Sequence, residues 1–126
     1  MWSPGHRQKS SNPVRVLSFT GSTEIGRLLY SQCAPTIKRL VMELGGHAPF
    51  IVFADANVDH AVACAISAKF ATSGQDCLAA NRLYVEDGIY DEFAEKFVAA
   101  TGALTVGRGV DDPRIGPLMN EDAILK

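Results

Sequence analysis

Apolar residues recur along the chain in two alternating rhythms, short dense runs and longer stretches at helical spacing. Residues 14–19 are rich in Val, Leu and Phe and end at Thr20-Gly21-Ser22-Thr23, which predicts a strand running into a helix capped by Ser or Thr. Ile25, Leu28, Leu29 and Cys33 then fall on one helical face until Pro35 stops the pattern. Residues 39–44, cut by Gly45-Gly46, and residues 50–53, following Pro49, read as buried strands. Val58, Ala61, Val62, Ala65, Ile66 and Phe70 mark a helix capped by Asp55 or Asn57 and closed by Gly74, and alanines at 61, 63, 65 and 68 predict close packing. Residues 83–85 suggest a further strand, and Ile89, Phe93, Ala94, Phe97 and Val98 an amphipathic helix ending near Gly102. Gly107, Gly109, Pro113 and Gly116-Pro117 give the tail loop chemistry. Strands alternating with helices predict an α/β fold with a parallel, helix-covered sheet.

Composition narrows the function classes. With 47% hydrophobic and 21% charged residues the chain has globular composition, and a net charge of -2 leaves no basic footprint for nucleic acid. No apolar stretch approaches the ~18 residues of a membrane span, so no membrane partner is expected. Residues 1–13 are polar, with Arg7 and Lys9 but no acid, and predict an unstructured leader. The expected location is cytoplasmic, with the mitochondrion as the alternative. Cys33, Cys64 and Cys77 show no Cys-x-x-Cys and no paired histidine spacing, and His6, His47 and His60 are scattered with no i, i+4 or HExxH pair, so neither a disulfide framework nor a metal is expected.

Three segments carry candidate chemistry. Gly21-Ser22-Thr23-Glu24-Ile25-Gly26 is a strand-to-helix turn whose backbone N–H groups suit a pyrophosphate. Thr23 stands where a Rossmann fingerprint has its second glycine, and a plain N-cap at Ser22 or Thr23 explains the turn equally well. Glu43 ends an apolar strand before Gly45-Gly46. Desolvated, it would serve as a general base, whereas the ordinary reading is an exposed acid before a tight turn. Cys77 follows Ser73-Gly74-Gln75-Asp76 in a polar segment after a helix, whereas Cys33 and Cys64 fall within apolar patterns and read as inert core thiols. The alternative for Cys77 is a small buried residue entering the next strand.

Together the segments resemble the aldehyde dehydrogenase superfamily. The matching pieces are Phe19-Thr20-Gly21-Ser22-Thr23-Glu24-Ile25-Gly26, Glu43-Leu44-Gly45-Gly46, Asp55-Ala56-Asn57-Val58-Asp59 and Gly74-Gln75-Asp76-Cys77. Asn81-Arg82-Leu83-Tyr84-Val85, Ile89-Tyr90-Asp91 and Ile115-Gly116-Pro117-Leu118 are most similar to the succinate-semialdehyde dehydrogenase branch. The resemblance implies parts of two parallel-sheet domains: residues 14–47 as the end of a cofactor-binding domain and residues 48–126 as the start of a catalytic domain.

It also implies an oxidation of succinate semialdehyde or a related aldehyde to the acid, with NAD or NADP as cofactor. Cys77 would be the nucleophile, forming a thiohemiacetal and then a thioester, and Glu43 would activate the hydrolytic water. The Cys77 N–H would supply half of an oxyanion hole. Thr20, Gly21 and Ser22 match positions at the cofactor's pyrophosphate, and Leu44 and Gly45 match backbone beside the nicotinamide. Full-length members are expected to be homo-oligomers.

Four positions depart from the family pattern. Asp76 stands where an uncharged residue usually precedes the nucleophile, and a carboxylate there disfavours a neighbouring thiolate. Ala71 stands where the branch typically places an arginine for the substrate's distal carboxylate. Ala79 replaces a second cysteine of some relatives, and His47 an asparagine or lysine. The chain is shorter than family members, so the expectation is a central segment of a longer enzyme, inactive alone. The alternative is a truncated, non-catalytic product that associates with a partner or a full-length homologue through uncovered apolar faces.

Overall fold

In the computed structural model the described residues are 11–124. The leader expected at residues 1–13 lies outside them except for its last three positions. There Ser11 accepts hydrogen bonds from the Val14 N–H at 3.3 Å and from Lys38 Nζ at 2.6 Å, so the chain is tied down immediately before its first strand.

The fold is α/β and divides into two compact units, residues 1–45 and 46–126. In the first, strand β1 (Val16–Gly21) leads through helix α1 (Thr23–Cys33) to strand β2 (Arg39–Leu44), and the two strands pair in parallel. Parallel neighbours need a crossover connection, and α1 supplies it. Ser22 is extended (φ -70°, ψ 149°), and its hydroxyl accepts from the Ile25 N–H at 3.3 Å, satisfying one of the donors a helix start leaves unpaired. Of the helical stripe predicted around Ile25, Leu28, Leu29 and Cys33, Cys33 is fully buried at 1% exposure, while Ile25 and Leu28 are exposed. Two strands and one helix offer too little surface to cover the whole stripe.

The second unit repeats the arrangement. Strand β3 (Ala48–Val52), helix α2 (Val58–Phe70) and strand β4 (Ala80–Val85) form a parallel pair with its crossover, and helix α3 (Tyr90–Gly102) packs on α2. Asn57 caps α2, its side chain accepting from the His60 N–H at 2.9 Å. Val52, Ala61, Val62, Ala65 and Phe93 make the core. Ala61 and Ala65 bring α2 close to its neighbours, whereas Ala63 and Ala68 face outward. Both strands begin earlier than their apolar runs, at Ala48 and Ala80, because pairing extends through polar Asn81 and Arg82. The register shifts between Ala48↔Ala80 and Pro49↔Arg82, an irregularity placed where proline has no N–H to give the ladder. On one face of this sheet Ile51 and Tyr84, cross-strand partners, are exposed at 58% and 52%.

Candidate active site

In the first unit the parallel register decides which candidates meet. Thr20 pairs with Glu43 and Gly21 with Leu44, so four residues far apart in sequence end up side by side at the C-terminal ends of β1 and β2. That edge, from which α1 departs, is where open parallel sheets bind ligands. Ser22 opens the helix. Its hydroxyl takes the Ile25 N–H and its carbonyl takes the Gly26 N–H at 2.9 Å, leaving the N–H groups of Thr23 and Glu24 without an acceptor among the described residues. A Cβ at Gly26 would lie 2.7 Å from Leu44 Cδ2, so this glycine sets how closely α1 rests on β2. Among the described residues nothing lies within 4 Å of a Cβ built at Gly45. Open helix-start donors, a close helix–strand approach and unobstructed backbone after β2 fit a dinucleotide pyrophosphate and its nicotinamide end. Glu43 is exposed and its carboxylate has no partner among the described residues.

In the second unit Cys77 sits in the loop between α2 and β4, and its side chain is exposed. The helix ends at Phe70, before the Gly74 predicted to close it. Instead Ser73 (φ 54°) and Gly74 (φ 72°) are successive left-handed residues that reverse the chain. A serine held there is strained, and the tail stabilises it. Ser73 Oγ accepts from the Gly116 N–H at 2.9 Å, and Gln75 Oε1 accepts from the Met119 N–H at 2.9 Å. The Cys77 N–H has no acceptor among the described residues, so it is open to an incoming oxyanion.

Asp76 braces this turn from inside. Its carboxylate accepts from the Leu78 N–H at 2.9 Å and from the Thr72 hydroxyl at 3.2 Å. The Leu78 N–H above all, then the Cys77 side chain and the Thr72 hydroxyl, hold the Asp76 carboxyl below its ordinary value, with desolvation acting the other way. The charge that departs from the family pattern is thus engaged in local bonds across Cys77. Beyond the cysteine, Asn81 donates to the Gly46 carbonyl at 3.2 Å and receives Lys69 Nζ at 2.6 Å, and Arg82 grips the His47 carbonyl. A Cβ at Gly46 would stand 3.5 Å from the Cys77 carbonyl. Ala71 caps α2 and is exposed, lining an open cleft with Ser67, Leu104, Asp112 and Arg114. Ala79 is buried.

Sequence reasoning passed over Thr72, Ser73 and Gln75 as supports for Cys77. Their signal was only a cluster of polar side chains around a glycine, and their partners lie up to 44 positions away. It also misjudged Cys64, which is half-buried rather than core and meets the exposed His60 one helical turn earlier. The signal is the i, i+4 spacing of His60 and Cys64, which the sequence carries although no paired histidine spacing is expected from it.

Residues 6–126 match the aldehyde dehydrogenase family. The chain is 58% identical over 119 residues to the NADP(+) succinate-semialdehyde dehydrogenase GabD of Escherichia coli, covering 93% of this chain and 25% of that protein. It is 54% identical over 114 residues to a glutarate-semialdehyde dehydrogenase of Pseudomonas putida, covering 90% and 24%. The crystal structure of succinate-semialdehyde dehydrogenase from Burkholderia pseudomallei superposes with a TM-score of 0.90 at 49% identity, covering 99% of this chain and 27% of that one. The chain therefore spans about a quarter of the length of the relatives it matches, and it belongs to the aldehyde dehydrogenase family.

Proposed function

We propose that this chain carries the nucleophile, the general base and part of the cofactor platform of an NAD(P)-dependent aldehyde dehydrogenase acting on succinate semialdehyde or a related aldehyde, as part of a longer enzyme. Family membership together with the exposed Cys77 and its open N–H carries the reading. The relatives are named for succinate and glutarate semialdehydes, which supports the substrate class.

The Cys77 sulfur attacks the aldehyde carbonyl carbon, forming a C–S bond while charge moves to the oxygen. The Cys77 N–H is placed on the residue that reacts, so it donates to that oxygen without a separate recruitment step. A nicotinamide dinucleotide, when bound, supplies the two-electron oxidation that turns the adduct into a thioester. Thr20, Gly21, Ser22, Leu44 and Gly45 would hold it at the β1–β2 edge. Glu43 takes a proton from water, the resulting nucleophile attacks the thioester, and the C–S bond breaks to release the acid. Ala71 brings no charge to a distal carboxylate, so any such contact comes from other residues.

The test places this sequence within a family enzyme of full length and follows reduction of NAD+ or NADP+ by succinate semialdehyde. Cys77→Ala should lower turnover by roughly a thousandfold or more. Glu43→Gln should leave a single-turnover burst followed by slow release. Unchanged turnover in Cys77→Ala would overturn the reading, and the 126-residue chain alone should show no activity.

A further inference from the structure

His60 and Cys64 stand one turn apart on the outer face of α2, with Sγ 3.5 Å from Nε2. That distance has a meaning beyond a hydrogen bond. A tetrahedral zinc ion with Zn–S near 2.3 Å and Zn–N near 2.0–2.1 Å holds its sulfur and nitrogen ligands about 3.6 Å apart. The two donor atoms are thus already at the bite of one metal ion. The element carrying them is a regular helix of 13 residues, and the first turn beneath His60 is fixed by the Asn57 cap on the His60 N–H at 2.9 Å. Ligands one turn apart on a helix share a face, which is the logic of paired-histidine zinc helices.

We propose that His60 and Cys64 form an open two-ligand site for a borderline divalent cation of the zinc class. Thiolate and imidazole select Zn2+, Co2+ or Ni2+ over Mg2+ and Ca2+, which prefer oxygen. Binding forms a metal–sulfur and a metal–nitrogen bond, releases the Cys64 proton to solvent and displaces metal-bound water. Asp59, next in sequence to His60, is taken by Lys96 at 2.6 Å, and no third His, Cys, Asp or Glu joins the pair among the described residues. The remaining coordination positions go to water or to a ligand from another molecule, so the site is an exchangeable one and not a structural zinc centre. It is independent of the dehydrogenase reading.

Cobalt(II) is the probe, because a thiolate–cobalt bond gives a near-ultraviolet charge-transfer band. Titrating the full chain with Co2+ in a thiol-free reductant should give a saturable band, reversed by Zn2+. Cys64→Ser should abolish the part of the band due to this site, and His60→Ala should weaken its affinity by at least about tenfold, since one of two ligands is lost. In the unaltered chain, Zn2+ should slow N-ethylmaleimide labelling of Cys64, read by peptide mass spectrometry against the same peptide labelled after denaturation. A titration unchanged in both variants, or Cys64 labelling indifferent to Zn2+, overturns the proposal.

Discussion

The two units hold their candidate residues in place by different means. In the first, Thr20, Gly21, Glu43 and Leu44 are set by a strand register, and Ser22 by the helix it caps. Every position follows from regular backbone geometry, and side chains contribute one cap and one close contact. In the second, Cys77 lies in irregular chain between α2 and β4, held by a few hydrogen bonds that Asp76, Ser73 and Gln75 accept from Thr72, Leu78 and the tail. A platform that only has to present backbone to a ligand can be built from ladders. A side chain that must be exposed yet fixed needs a loop with its own bracing.

If the contrast is sound, packing changes should hurt the first unit most. Gly26→Leu forces side-chain volume where even a Cβ would meet Leu44 Cδ2 at 2.7 Å, and should cost about 2 kcal/mol in chemical denaturation. A neutral result would mean that α1 is free to lift from β2, and that register alone does not define the edge. Ser22→Ala removes the cap of α1 and should cost about 1 kcal/mol, since the Ile25 N–H loses its acceptor. Ser73→Ala should cost slightly less, also near 1 kcal/mol, but with a local signature. The Gly116 N–H loses its partner, so amide exchange should quicken at Gly116 and around Cys77 while core amides such as Phe93 hold. Uniform quickening throughout the unit would show that the loop is no separate element.

The smallest effect concerns Asp76. Its folded carboxyl lies below the ordinary 3.8, so the bracing is complete above that value and fades as pH falls through the lower folded value. A pH titration of the Leu78 amide resonance should therefore inflect below 3.8. An inflection above it would mean that Asp76 does not brace the turn.

Much of the fold was legible because periodicity reports burial. The helix over Val58–Phe70 and the strand over Arg39–Leu44 appear where their patterns predict them. Errors gathered where local signals compete. Gly74 looked like a helix stop, yet the left-handed turn begins at Ser73, whose conformation is stabilised by Gly116 from the far end of the chain. Polar Asn81 and Arg82 concealed the start of β4 because they pair with β3 or grip the segment before it, not because they face a core. Cys64 looked like core because it lies among alanines, although on a helix its neighbour is the residue four positions back.

By itself the sequence determined the element types, the parallel α/β class and the residues that carry the family resemblance, since these depend on local preference and on motifs read in order. Only the tertiary structure decided that Thr20 meets Glu43, that both Asp76 oxygens are engaged across Cys77, and that His60 and Cys64 present their donor atoms to one point. Pairing register, side-chain direction and contacts across tens of residues depend on how the whole chain closes on itself, and no local pattern encodes them.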